Sequence, residues 1–168
     1  TANTITLTGE GGVTYTLTDT ANVERTDASS FTLTLSVTDK NALNLIMNKA
    51  GTTSTDGTTF NIAAGDDWNA NLTAGDSSDT TGNAITVSNV AIPTLTSSTY
   101  DANTGVLVLT GTGFLSGAGA TNDIIANLLT FTGEGAATYT LTDTANVEIT
   151  SGTVASLTLS STDKLLLN

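Results

Sequence analysis

Cysteine and histidine do not occur in this sequence, and proline occurs once, as Pro93. Their absence excludes disulfides, thiol nucleophiles and Ser-His or Cys-His catalysis, together with nearly all zinc and copper sites. Positive charge is almost as scarce. Arg25, Lys40, Lys49 and Lys164 stand against sixteen Asp and Glu, for a formal charge of −12. A chain so acidic repels phosphate backbones and anionic membrane surfaces, which excludes nucleic acid as a partner. No apolar run reaches the roughly 18 residues of a membrane-spanning helix, so no membrane insertion is expected. The first residues form neither a basic region nor an apolar signal segment, and an export signal is expected outside this sequence. Disorder is excluded as well, because 38% hydrophobic residues are too many for it and the abundant Thr fits pleated sheet.

What is present is a repeat. Thr8-Gly9-Glu10-Gly11-Gly12-Val13-Thr14-Tyr15-Thr16-Leu17-Thr18-Asp19-Thr20-Ala21-Asn22-Val23-Glu24 returns, nearly unchanged, as Thr132 to Glu148. The start positions 8 and 132 lie 124 apart, and this register holds without a gap from Ala2-Asn3 with Ala126-Asn127 to Thr38-Asp39-Lys40 with Thr162-Asp163-Lys164. A period of 124 residues is too long for a solenoid turn and fits one domain of an array. The 168 residues therefore carry about one and a third units.

Hydrophobic alternation predicts strands. Thr4–Thr8, Val13–Thr18 and Phe31–Val37 alternate with period 2, which buries Ile5, Leu7, Tyr15, Leu17, Phe31, Leu33, Leu35 and Val37 and leaves Thr on the wet face. Gly9 to Gly12 reads as the hairpin connection between the first two strands. Ala42, Leu43, Leu45, Ile46 and Met47 fall at helical spacing, predicting a helix over 39–48 with Thr38 or Asp39 as N-cap. Further strands are expected at 58–63, 84–88, 106–110, 129–132, 138–142 and 156–160, with a strong turn at Tyr100 to Gly105. Short alternating strands with Gly and Asp turns predict an all-β chain, an immunoglobulin-like antiparallel β-sandwich with one short crossover helix.

The segments Ile92-Pro93-Thr94-Leu95-Thr96-Ser97, Tyr100-Asp101 and Thr104 to Phe114 resemble the start of bacterial immunoglobulin-like repeats. The whole unit, with its Thr-Gly-Glu-Gly and Thr-Asp-Lys signatures, is similar to tandem repeats of large secreted or surface-attached bacterial adhesins of the type I-secreted, RTX-adhesin-like kind. The resemblance implies an extracellular, non-enzymatic stalk or spacer, stiffened in many members by calcium. The Gly-Gly-x-Gly-x-Asp nonapeptide of RTX proteins is absent, so no ligand set carries over. With Pro93 opening a unit, residues 1–88 are the later part of one repeat and 89–168 the earlier part of the next. Residues 1–128 then hold every strand of one unit in permuted order. Neighbouring repeats or copies of the chain, joined by strand exchange, are the expected partners.

Calcium is the one cofactor the residues point to. Asp66, Asp67, Asp76 and Asp79 share one irregular stretch, with Asp101 and Asp123 at other turns, and calcium needs six to eight oxygens. The spacing is not that of an EF-hand, and Asp also populates turns simply because it caps them. Other chemistries have less behind them. Two carboxylates flanking an aromatic cleft would make a glycosidase, but Trp68 is the sole tryptophan. Lys40 or Lys49 could in principle join an isopeptide cross-link, and Lys40 and Lys164 otherwise read as solvated. Rows of Thr such as Thr4-x-Thr6-x-Thr8 and Thr14-x-Thr16-x-Thr18 could face ice, though any wet sheet face gives the same pattern. Asn71-Leu72-Thr73 matches a glycosylation acceptor. An alternative function is a binding module recognising carbohydrate or protein through loops 65–82 and 112–123.

Overall fold

The computed structural model describes residues 1–72, 74–117 and 119–168, and it forms two compact units, Thr1–Val90 and Ala91–Asn168. Among the described residues both are mostly β, with three small antiparallel sheets and two short α-helices in all.

In the first unit, β1 (Ile5–Thr8) pairs on one side with β2 (Thr14–Thr16) and on the other with β3 (Asn61–Ala64). The alternation of β1 buries Ile5 and Leu7, as its period of 2 requires, and Thr6 and Thr16 hydrogen-bond across the wet face at 2.7 Å. The connection to β2 is a single 3-10 turn, Glu10–Gly12, in which Gly11 and Gly12 have φ of 65° and 73°. Glycine adopts such angles without steric cost. Helix α1 (Val37–Ile46) lays Leu43 into a core shared with Ile5, Leu7, Leu17, Met47 and Phe60.

In the second unit, β4 (Thr94–Asp101), β5 (Val106–Thr112) and β8 (Val154–Thr158) make one sheet in the order β4-β5-β8. The β4–β5 turn is fixed by Asp101, whose carboxylate accepts from the amides of Asn103 and Thr104. The strands β6 (Thr130–Thr132) and β7 (Thr138–Thr140) form a separate pair, with register Thr130↔Thr140 equivalent to Thr6↔Thr16. Helix α2 (Ser161–Leu167) closes the chain, and the core gathers Leu107, Leu109, Phe114, Leu141, Leu157 and Leu159.

Phe31–Val37 is not the strand its alternation predicts. Val37 opens α1 and is 76% exposed, and Phe31 is 43% exposed. Alternation determines which face a strand would bury but provides no neighbour, and an unpaired strand is not stable. The helix starts two residues earlier than expected because Ser36 is the N-cap, its Oγ accepting from the Asp39 amide at 3.1 Å. Residues 84–88 contribute only isolated bridges, Asn61↔Ala84 and Gly51↔Val87.

Candidate functional site

The residues shared by the two copies converge on one carboxylate. Asp39 is wholly buried, in the first turn of α1, and its side chain turns away from the helix toward the loop that follows β2. Its Oδ1 accepts from the Tyr15 hydroxyl at 2.8 Å, the Thr18 amide at 3.0 Å and the Thr18 hydroxyl at 3.0 Å. Its Oδ2 accepts from the amides of Asp19 and Thr20, at 3.1 and 2.7 Å, and from the Thr20 hydroxyl at 2.6 Å. The Thr20 oxygen in turn accepts from the Ser36 amide at 3.1 Å, satisfying a helix-terminal donor that a capping-box Glu would otherwise take. One carboxylate thus ties strand, loop and helix together.

The second copy repeats this arrangement. Asp163, also wholly buried, accepts from the Tyr139 hydroxyl at 2.6 Å, the Thr142 amide and hydroxyl at 3.0 and 3.1 Å, the Asp143 amide at 3.0 Å and the Thr144 hydroxyl at 2.6 Å. Ser160 caps α2 as Ser36 caps α1, and its amide donates to Thr144. A second brace is duplicated too: the Asn22 side chain accepts from the Ala2 amide, and Asn146 from Ala126.

The electrostatics follow from the geometry. Burial pushes the Asp39 carboxyl up, but the Thr20 hydroxyl, the Thr18 amide and the Tyr15 hydroxyl outweigh it and hold the group far below the usual carboxylate range. Asp163 is depressed in the same way, with burial opposed by Thr144, Tyr139 and the Thr142 amide. The Tyr139 phenol is raised, chiefly by its bond to Asp163. A carboxylate has about four lone-pair sites. With six donors around it, Asp39 has none left for a proton or a metal ion. Chemically, the arrangement is an anchor.

The six acids singled out in the sequence lie apart from this anchor and act at turns. Asp66 accepts from the Ser77 amide at 2.9 Å and the Asp67 amide at 3.0 Å, and these bonds hold its carboxyl down against the charge of Asp76. Asp76 is lowered by the hydroxyl and amide of Ser78, and Asp79 accepts from the Asn83 side chain at 3.0 Å. Asp67 sits at φ 57° and meets the Thr1 hydroxyl through its carbonyl oxygen at 2.9 Å. Asp101 caps the β4–β5 turn. Asp123, raised by burial and lowered more by the amides of Gly117 and Ile149, accepts from those amides at 2.7 and 2.9 Å. Among the described residues, no three His, Cys, Asp or Glu side chains gather into a group that could hold a metal ion.

Lys164 is not the freely solvated side chain expected of it, since its Nζ donates to the Asn103 carbonyl at 2.5 Å and clasps the β4–β5 turn to α2. Part of the Asn71-Leu72-Thr73 acceptor, Thr73, lies outside the described residues. A cavity of about 240 Å³ opens in the second unit between Pro93, Leu95, Leu109, Phe114, Ile124 and Leu129.

Sequence reasoning reached Asp39 only as a possible helix cap and did not single out Asp163. The signal was present: Tyr-x-x-Thr-Asp-Thr and Ser-x-x-Asp recur at one fixed separation in both copies. No protein-family model, curated protein or solved structure matches this chain.

Proposed function

We propose that this chain is a structural repeat, a spacer, stalk or fibre-forming unit of a secreted or cell-surface bacterial adhesin-like protein. It carries no enzymatic activity of its own, and its units are immunoglobulin-like sandwich domains set in series. One observation carries the reading. The side chains kept the same in both copies, Tyr15/Tyr139, Thr18/Thr142, Thr20/Thr144, Ser36/Ser160 and Asp39/Asp163, are spent on an internal anchor rather than on a cleft. Residues that hold a fold together and recur along a chain are what a mechanical array requires.

The test is force spectroscopy on a tandem array of the 124-residue unit. The expected result is a series of equal unfolding steps, each releasing at most about 400–450 Å for a fully extended unit of that length. Extension without periodic steps would overturn the reading. Calcium belongs to the proposal as a stiffening ion at the acidic turns, where Asp66 and Asp76 repel each other. A binding module is the second reading, favoured by the apolar cavity beside Phe114 and Leu115 on loop 112–123. Specific retention of the chain on a glycan or protein array would support it over the stalk.

A further inference from the structure

The two copies differ in structure in one segment, where Ser30, Phe31 and Thr32 stand against Val154, Ala155 and Ser156. In the second copy, β8 is an ordered strand whose Ala155 and Leu157, with Leu159 just after it, are 0%, 0% and 5% exposed. The matching residues of the first copy are Phe31, Leu33 and Leu35. They lie in no strand, Phe31 is 43% exposed, and the other two are half-buried. Among the described residues, no hydrogen bond reaches the backbone N–H or C=O groups of Phe31 through Leu35. The stretch is nevertheless braced at its C-terminal end as β8 is, by Ser36 and Asp39 in place of Ser160 and Asp163. What β8 has and residues 30–34 lack is a neighbour. That neighbour is β5, with the register Val106↔Thr158, Leu107↔Leu157, Val108↔Ser156, Leu109↔Ala155 and Thr110↔Val154.

We infer that residues 30–34 are an acceptor edge for the β4–β5 hairpin of another copy of the 124-residue unit, which adds to them as β5 adds to β8. Shifting the observed register by one repeat gives the docking geometry: Val106↔Thr34, Leu107↔Leu33, Val108↔Thr32, Leu109↔Phe31 and Thr110↔Ser30. Among the described residues the backbone of Phe31 to Thr34 takes no hydrogen bond, though the Ser30 carbonyl accepts from Thr26 and Asp27, and a segment with such free groups and the alternating apolar residues Phe31, Leu33 and Leu35 is suited to strand addition. The hairpin is the fitting occupant because the chain already shows it on the equivalent segment. The chain's own β5 is held between β4 and β8, so the donor must come from a further unit. The inference rests on the tandem-repeat reading above and names the contact by which successive units would join.

The experiment keeps the full chain and replaces Thr1 with a second copy of residues 91–125, so that the new junction into Ala2 reproduces Ile125-Ala126. Amide hydrogen exchange is followed at residues 31–35. The expected result is a slowing of at least about tenfold there, the signature of amides drawn into a cooperative sheet. Introducing Leu107→Asp and Leu109→Asp in the appended copy alone should remove that protection and leave β1, β2 and α1 protected as before. Unchanged exchange at 31–35 in the extended chain, with the amides of its original β5 still protected, would overturn the inference. Exchange reports strand pairing wherever the protein works, so a failed force experiment and a failed exchange experiment are separate outcomes.

Discussion

A carboxylate withdrawn from water is tolerated only when its acceptor sites are filled, and both Asp39 and Asp163 meet that condition through neutral donors rather than a cation. Asp39→Asn keeps the shape but presents an NH₂ to hydroxyls and amides that need an acceptor. We expect it to cost about 2–4 kcal/mol in urea unfolding, since hydrogen bonds to a buried charge are lost and donors are left unmet. Asp163→Asn should act alike on the second unit. The exposed Asp19→Asn serves as control and should stay within about 0.5 kcal/mol. A loss for Asp39→Asn no larger than that of the control would show that the anchor does not hold the unit. The pH dependence has a fixed sign. Both carboxyls are depressed in the folded state, so their stabilisation is complete above the unfolded aspartate value near 3.9 and drains away as pH falls below it. Unfolding free energy measured from pH 7 to pH 2 should therefore hold level to about pH 4–5 and then fall, and the fall should be shallower in Asp39→Asn. This residue-scale site was only half legible in the sequence. The repeated Thr-Asp-Lys was visible, but an Asp near a helix start reads as a cap, and its donors lie 19 to 24 positions earlier in the chain.

Equivalent elements carry different constraints once their neighbours differ. Gly9 and Gly133 occupy the same repeat position before the same 3-10 turn, both with extended φ, at −124° and −108°. A Cβ on Gly9 would come within 2.7 Å of the Ile46 side chain at the end of α1, whereas on Gly133 it would meet only the Ala137 carbonyl at 3.9 Å. Gly9→Ala should then lose about 1–3 kcal/mol by overpacking, and Gly133→Ala should be nearly neutral, as read from the thermal transition of each variant. Equal losses would mean that backbone freedom, not the approach of α1, fixes both glycines. The same contrast explains which elements were readable. The edges of β1 and β2 follow from alternation, and those of β5 from an apolar run after a turn signal, each to within a residue or two, because both their pattern and their partners lie in the chain. Residues 31–37 alternate just as strictly yet form no strand, since pattern supplies a face and pairing supplies the strand. Helix α1 begins ahead of its apolar spacing because its N-cap, Ser36, belongs by alternation to the preceding segment.

For the whole molecule, charge sets the response to ions. With sixteen acids against four cations, most of the surface repels itself, and a compact state concentrates that repulsion more than an extended one. Raising NaCl from about 0.01 to 0.15 M shortens the screening length from about 30 to 8 Å, so the melting temperature should rise over that range. The increment is non-specific and is owed to the net charge alone. It is also the baseline that any calcium effect must exceed. Calcium chloride at matched ionic strength, compared with NaCl plus chelator, separates screening from coordination. An ion bound at the acidic turns adds RT ln(1 + [L]/Kd) to the folded state and keeps raising the transition as its concentration climbs past Kd. Screening alone gives curves that superimpose at equal ionic strength. Superimposed curves would remove calcium from the proposed function while leaving the repeat, its carboxylate anchor and its acceptor edge intact, because none of those depends on a metal ion.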